Sequence, residues 1–371
     1  MAGGKITSGF SSLDVFFMAK ELNDFLMGSK VVKVYNIQKQ GCFQLKLHNP
    51  KHKKQDFVFS VPSLFFRSSV DYDKPQKPSS FVMLLRKMLS GARIAGFSQL
   101  GFERALQVEF QRESLFRLYF EFLPPGNVVL CDSEDKIIQP WHSEEFSTRA
   151  VKKGERYNFP RRENPLNFSG EEFLLAIKHS GKENVVKALA VSLGLGGFYA
   201  EVLCSHAEID KNMPLGSFDK KSSGILFSAF RNLLGYEPKG YCSAKVPFSP
   251  VPFPGHDENR QFSSFSEVVE SYFSSIFEFA EKAQSEKDRS KTRKILESQA
   301  KTLASAEKEY AECKSQGEAV YENYQMLSEL VSKVNELRKS VKDWKKIEEA
   351  LREQGYKVSI DSKSARITVD I

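Results

Sequence analysis

Glu103 and Arg104 stand side by side at the start of "RALQVEF", where Leu106, Val108 and Phe110 alternate with Gln107 and Glu109 as a half-buried strand requires. That parity puts Arg104 on the apolar side. A guanidinium at a strand mouth can grip a phosphate bidentately or stack on a base, and the adjacent carboxylate can fix it or accept from a base amine. An intramolecular ion pair, or an arginine snorkelling at a sheet edge, accounts for the same two residues. Arg67, after "SLFF", carries the same two readings. Asp14, in "SSLD", either faces a groove or serves as the acidic third residue of a capping box with Ser11. "GLGGFYA" sets Gly194, Gly196 and Gly197 between two helical runs. Such a turn lets backbone approach a phosphate while the next helix presents its free N–H groups, although a plain helical hairpin has the same glycines. A dinucleotide-binding turn would follow a strand, and this one follows a helix. The basic stretch "RAVKKGERYNFPRR" adds Lys152, Lys153, Arg161 and Arg162, interleaved with Tyr157 and Phe159. It reads as a phosphate-binding run with aromatics available for base stacking, or as a solvated loop.

Catalytic patterns are missing. The chain has no P-loop, G-x-S-x-G, HExxH or Cys/His zinc spacing, and its five cysteines are scattered. We therefore expect no catalytic residue, metal or cofactor. A net charge of +7 and a pI near 8.9 favour a polyanionic partner. No apolar run approaches bilayer length and "MAGGKITSGF" lacks a secretory h-region, so the expectation is a cytoplasmic protein with no membrane partner.

The elements that must position these residues follow from periodicity. "SSLDVFFMAKELNDFLMG" predicts a helix ending at Gly28, followed by strands at "KVVKVYNI", "CFQLKLH" and "DFVFSVP". The pattern then recurs, with a helix at "SSFVMLLRKMLSG" and strands at "ARIAGFSQL", "RALQVEF" and "LFRLYFEFL". An αβββ unit occurring twice and extended by "PPGNVVLCDSEDKIIQP" implies a helix-decorated antiparallel domain over residues 1–162. In that alignment Glu103-Arg104 falls opposite Gln40-Gly41, so the pair is no requirement of the repeat. Residues 149–170 read as a linker broken by Pro160 and Pro165. An all-α segment with the glycine turn occupies 163–258, and 259–371 reads as a long coiled-coil arm. Its heptad seam runs through Cys313, Gly317, Val320, Tyr324, Leu327, Val331 and Val334, and is followed by a short helix and a terminal hairpin turning at "DSKS". The fold class expected is α+β.

The order of the long motifs "SSLDVFFMAKELNDFLMGSKVVKVYNI", "SSFVMLLRKMLSGARIAGFSQLGFERALQVEF", "LGLGGFYAEVLCSHAEID" and "FSSFSEVVESYF" strongly resembles the NFACT family, named for NEMF, FbpA, Caliban and the yeast Tae protein and including bacterial RqcH. The fit is closer to its archaeal and eukaryotic branch. The resemblance covers nearly the whole chain and matches NFACT-N, helix-hairpin-helix and coiled-coil modules in order. Members usually continue into an NFACT-R domain, so the chain reads as an N-terminal portion. The resemblance implies ribosome-associated quality control. In that role a member binds the large ribosomal subunit carrying stalled peptidyl-tRNA and recruits aminoacyl-tRNA of the alanine type for template-free tailing, with a ubiquitin ligase as an open partner in eukaryotic-type systems. It also implies tRNA handling by the aspartate of the opening motif, matched by Asp14, and by an Asp-Arg pair at a strand mouth. Arg104 matches that arginine, while Glu103 replaces the aspartate. Two alternatives belong to other classes. NFACT-N resembles the N-terminal domain of formamidopyrimidine-type DNA glycosylases, yet their terminal proline nucleophile and neighbouring glutamate have no counterpart in "MAGG". An interaction or adhesion scaffold is the other.

Overall fold

The computed structural model describes residues 9–37, 41–75, 77–160, 162–258, 260, 262–361, 364 and 366–370, with the side chains of 277–288 left aside. Two compact units divide the chain, residues 1–282 and 283–371.

In the first unit α1 (Ser12–Leu26) begins at an N-cap Ser11 whose hydroxyl accepts from the Asp14 N–H, while the Asp14 carboxylate accepts from the Ser11 N–H. Gly28, at φ +75°, then turns the chain into β1 (Lys30–Asn36), a conformation that a side chain would strain. There follow β2 (Cys42–Asn49), β3 (Lys53–Ser60), β4 (Leu64–Ser68), α2 (Ser80–Leu89), β5 (Arg93–Gln99), β6 (Ala105–Gln111), β7 (Leu115–Glu121), β8 (Asn127–Cys131) and β9 (Ile137–Pro140). These nine strands form one sheet in the order β4-β3-β2-β1-β5-β6-β7-β8-β9. The internal repeat explains that order, because the first strands of the two αβββ units pair with each other, Lys30 opposite Arg93, and each unit unrolls outward from that seam. Strand β4 had no counterpart in the sequence reading. It is five residues long and buried on both sides, so alternation gives no signal for it.

The sheet folds back on itself around phenylalanines. Phe59 meets Phe120 edge-on at 4.7 Å, Phe57 meets Phe97 at 5.5 Å, and Phe65 stacks on Phe122 at 4.9 Å, which brings β3 and β4 onto β5 and the β7 end. Each such fully buried ring contributes roughly 1.5–3 kcal/mol. A second, smaller core lies on the other face of β6–β9, where Ala105, Tyr119, Val129 and Cys131 are covered by Val151, Tyr157 and Phe159. The ribbon of β10 (Glu144–Glu145) and β11 (Ala150–Val151) leads into that cover. Residues 149–159 are thus part of the folded unit rather than a linker. Buried contact for Tyr157 and Phe159 outweighs the turn signals around them.

Three helices follow where two were expected: α3 (Gly170–Lys178), α4 (Val185–Ser192) and α5 (Gly196–His206), then α6 (Lys220–Leu234). The long α7 (Phe265–Glu322) starts in the first unit, where Glu21 of α1 accepts from the N–H groups of Phe265 and Ser266. The second unit contains α8 (Tyr324–Ser340), α9 (Trp344–Glu353) and the hairpin of β12 (Val358–Asp361) and β13 (Arg366–Val369). Part of the "DSKS" turn, residues 362 and 363, lies outside the described residues. Leu330 and Val334 pack with Ile347, Leu351 and Val358, whereas Tyr324 and Val331 of the expected heptad seam are exposed. The packed stripe keeps Val334 of that seam and takes Leu330 in place of Val331.

Candidate nucleic-acid interface

Phe102 organises the mouth of β6. It is buried, edge-on to Phe16 of α1 at 6.5 Å and to Phe230 of α6 at 6.4 Å. The turn 100–103, closed by the Glu103 N–H donating to Leu100 O at 3.3 Å with Gly101 at φ +63°, is thereby pinned between the sheet and the helices. Gln99 locks it further, since its Nε2 donates to Ser12 O at 2.7 Å and to Glu103 O at 2.9 Å. Glu103 and Arg104 emerge half-buried where strand, α1 and the glycine turn converge. The Glu103 carboxylate reaches Arg162 Nε at 3.5 Å, with the Arg162 side chain 76% exposed. Burial raises the Glu103 carboxyl above its ordinary range, opposed by the positive charges of Arg162 and Arg104.

The glycine turn abuts this mouth. Gly194, at φ +67°, would place a Cβ 3.7 Å from Ser12 Oγ and 3.8 Å from Phe102 O. Gly196 and Gly197 are exposed, with open space where their Cβ atoms would be, and α5 begins with no side-chain cap on its first N–H groups. Asp14 binds the parts together from within. It is 3% exposed, and it accepts from Tyr199 of α5 at 2.5 Å and from the Ser11 hydroxyl and N–H at 2.8 Å each. Tyr199 in turn lies 3.5 Å from Ser249, whose hydroxyl donates to Val251 O at 2.7 Å. Burial pushes the Asp14 carboxyl up to about 6 despite these donors, and raises the Tyr199 hydroxyl well above its usual value.

The remaining candidates lie apart. Arg67 sits at the other end of α1, its guanidinium 4.3 Å over Phe25 and 3.3 Å from Gln55 Oε1, with its buried Nε unpartnered. Eleven residues of helix, roughly 16 Å, separate Phe25 from Asp14. Lys152 pairs with Glu145 at 2.5 Å and, with Lys153, precedes Gly154, which bonds to Ile137. That is the end of β8 and β9 away from Glu103, roughly 13 Å along the strands. Tyr157 and Phe159 are buried, Tyr157 stacked on Tyr119 at 3.9 Å, and offer no face to a base. Arg161 lies outside the described residues. No group of three or more His, Cys, Asp and Glu able to hold a metal occurs among the described residues. No helix there is long and apolar enough to cross a membrane.

A family model described as the NFACT N-terminal and middle domains matches residues 11–367. The chain belongs to the NFACT family. Over 372 aligned residues it is 29% identical to a protein named archaeal Rqc2 homolog aRqcH from Methanocaldococcus jannaschii, covering 93% of this chain and 54% of that one. It is 25% identical to ribosome quality control complex subunit 2 of Schizosaccharomyces pombe, covering 93% and 42%. The chain thus spans about half the length of the curated relatives it matches. Among solved structures, the N-terminal part of the fibronectin/fibrinogen-binding protein from Streptococcus suis superposes with a TM-score of 0.60 at 25% identity, over 72% of this chain and all of that one.

Within this NFACT chain, the motif residues Asp14, Glu103 and Arg104 and the Gly194 turn come together. Phe102, Gln99, Tyr199 and Ser249 hold them there, and sequence reading missed all four. Phe102 shares parity with Arg104 and was hidden in a turn. Tyr199 meets Asp14 across 185 residues, a separation that no local pattern reports.

Proposed function

We propose that this protein is a cytoplasmic, non-enzymatic factor of ribosome-associated quality control. It binds the large ribosomal subunit carrying stalled peptidyl-tRNA and recruits aminoacyl-tRNA, of the alanine type, for template-free tailing. The ribosome performs peptidyl transfer, and this protein supplies binding and placement. In this reading residues 1–162 form the tRNA-handling NFACT-N domain and 163–258 a helix-hairpin-helix domain whose α4–α5 turn meets phosphate. Residues 259–371 are the coiled-coil arm with its terminal hairpin, and a ubiquitin ligase is the partner that eukaryotic-type members would add.

The observation that carries the reading is the mouth itself. A half-buried Arg104 and an exposed Arg162 flank one carboxylate, beside an uncapped helix N-terminus bearing two open glycines. Two guanidiniums and free N–H groups suit a phosphate backbone, and the carboxylate supplies discrimination. Asp14 acts from inside by fixing α1 against α5. Filter binding of bulk tRNA across a salt series tests this. Arg104→Ala is expected to lower affinity and flatten the salt dependence with folding unchanged, and wild-type binding that is undetectable at low salt would overturn the assignment.

A further inference from the structure

A different part of the same sheet carries an unassigned cation array. On the outer face of β1 and β2, the ring of Tyr35 is approached by Lys74 at 5.0 Å, Arg86 at 5.1 Å, Lys33 at 5.3 Å and Lys46 at 5.7 Å. Strand register puts them together. Tyr35 lies opposite Gln44, Lys33 opposite Lys46, and Lys46 opposite Asp56, all on the face away from the phenylalanine core. Arg86 arrives from α2, where its Nε donates to Val34 O at 2.6 Å. Against these charges stand Asp71, which holds Lys46 at 3.0 Å and Lys74 at 2.5 Å, and the buried Asp56. One aromatic ring thus gathers four cations, and the two carboxylates leave the patch in positive excess.

We infer that this face is a second RNA-binding surface, which grips the phosphodiester backbone of structured RNA. Its ring is already flanked by cations and so orders them rather than stacking a base, which makes the contact electrostatic and sequence-independent. The residues gathered at Tyr35 are none of those at the Glu103 mouth, so the two surfaces are distinct. The inference extends the RNA-binding reading above to another surface and does not depend on Arg104.

Filter binding of purified large-subunit ribosomal RNA to the full chain, over a potassium chloride series, tests it. Lys33→Glu combined with Lys74→Glu is expected to weaken binding about tenfold or more and to reduce the slope of log affinity against log salt by about two. Lys33→Gln with Lys74→Gln should lose less affinity at an unchanged melting temperature. Tyr35→Leu, which leaves net charge unchanged, should also lower the slope because the cations disperse, and Tyr35→Phe should restore it. Unchanged affinity and slope in both lysine pairs would overturn the surface. Competition by polyglutamate equal to that by RNA would overturn the choice of RNA over an acidic protein. If Arg104→Ala alone leaves tRNA binding intact while the lysine pairs fail on ribosomal RNA, the mouth assignment falls and this one stands; the reverse result condemns this one.

Discussion

Two glutamate–arginine constellations sit on neighbouring strands at the same end of the sheet, and they differ in what they leave free. Glu121 lies directly across from Ala105, the residue after Arg104. It takes both terminal nitrogens of Arg149 at 2.7 Å, accepts from Tyr157 at 3.0 Å, and both charged side chains are nearly buried, at 6% and 11% exposure. Among the described residues, the Glu103 carboxylate ion-pairs at 3.5 Å with an arginine that is mostly in water. The first constellation spends its hydrogen-bonding capacity internally and clamps the 149–159 cover onto the sheet. The second keeps its guanidiniums available. Breaking the closed pair should therefore have the largest effect on folding. Arg149→Ala leaves an uncompensated buried carboxylate and is expected to cost about 3–5 kcal/mol in chemical denaturation, with tRNA affinity preserved in the fraction that stays folded. A loss below about 1 kcal/mol would place Glu121 in contact with water and erase the contrast.

Asp14 shares the buried character of Glu121 without a cationic partner, and so marks an intermediate case. Its carboxyl is held at about 6, above the ordinary 3.8, because burial outweighs its three donors. The folded state therefore binds a proton that the unfolded state releases between those values. The stability contributed by that proton is complete below about pH 4 and is lost as pH rises through 6, a change on the order of 3 kcal/mol. Glu21 and Asp56, also raised by burial, add in the same direction. Thermal melts are expected to show a more stable protein at pH 5 than at pH 7.5. In Asp14→Asn the interval should shrink, and an interval equal to wild type would mean the buried Asp14 carboxylate does not titrate there. Tyr199→Phe should widen it, since removing a donor to the carboxylate raises its pKa further.

At the open constellation the effect moves from stability to binding. Arg104→Ala should change the unfolding free energy by no more than about 0.5 kcal/mol. It should weaken bulk tRNA binding about tenfold, or about 1.4 kcal/mol, and lower the salt slope by about one. A large stability loss with unchanged affinity would make Arg104 a second Arg149.

How much of this was legible depended on the range of the interactions. The capping box of Ser11 and Asp14, the glycine stop at Gly28, and the doubled αβββ pattern are local, and sequence alone located them. The same locality led to errors. Tyr157 and Phe159 sit among lysines, arginines and prolines and read as loop aromatics, because the Tyr119 and Glu121 that bury and bond them are more than 30 residues earlier. Asp14 read strongly as a cap, with a groove-facing role as the alternative, and the structure makes it a cap that also bonds Tyr199, found only once α5 is folded against α1. The cations around Tyr35 come from β1, β2, α2 and the segment before α2, and only the sheet register brings them together.

The finest distinction lies within the mouth, between a carboxylate that clamps and one that reads. Glu103→Asp restores the residue that the family motif carries and retracts the carboxylate by one methylene. The contact to Arg162 is already long and largely solvated, so its loss should change stability by less than about 0.5 kcal/mol. If Glu103 only orients Arg104 and Arg162, affinity for bulk tRNA should stay within about twofold and the set of tRNAs captured should be unchanged. Glu103→Gln sharpens the test by removing the charge while preserving the length. It relieves repulsion of phosphate and is expected to raise bulk affinity about two- to threefold without altering selectivity. Sequencing the tRNA retained by the three proteins decides between the roles. A shift in the captured species with Glu103→Asp, at equal bulk affinity, would show that the carboxylate accepts directly from a base, and that the extra methylene of this chain sets which tRNA it prefers.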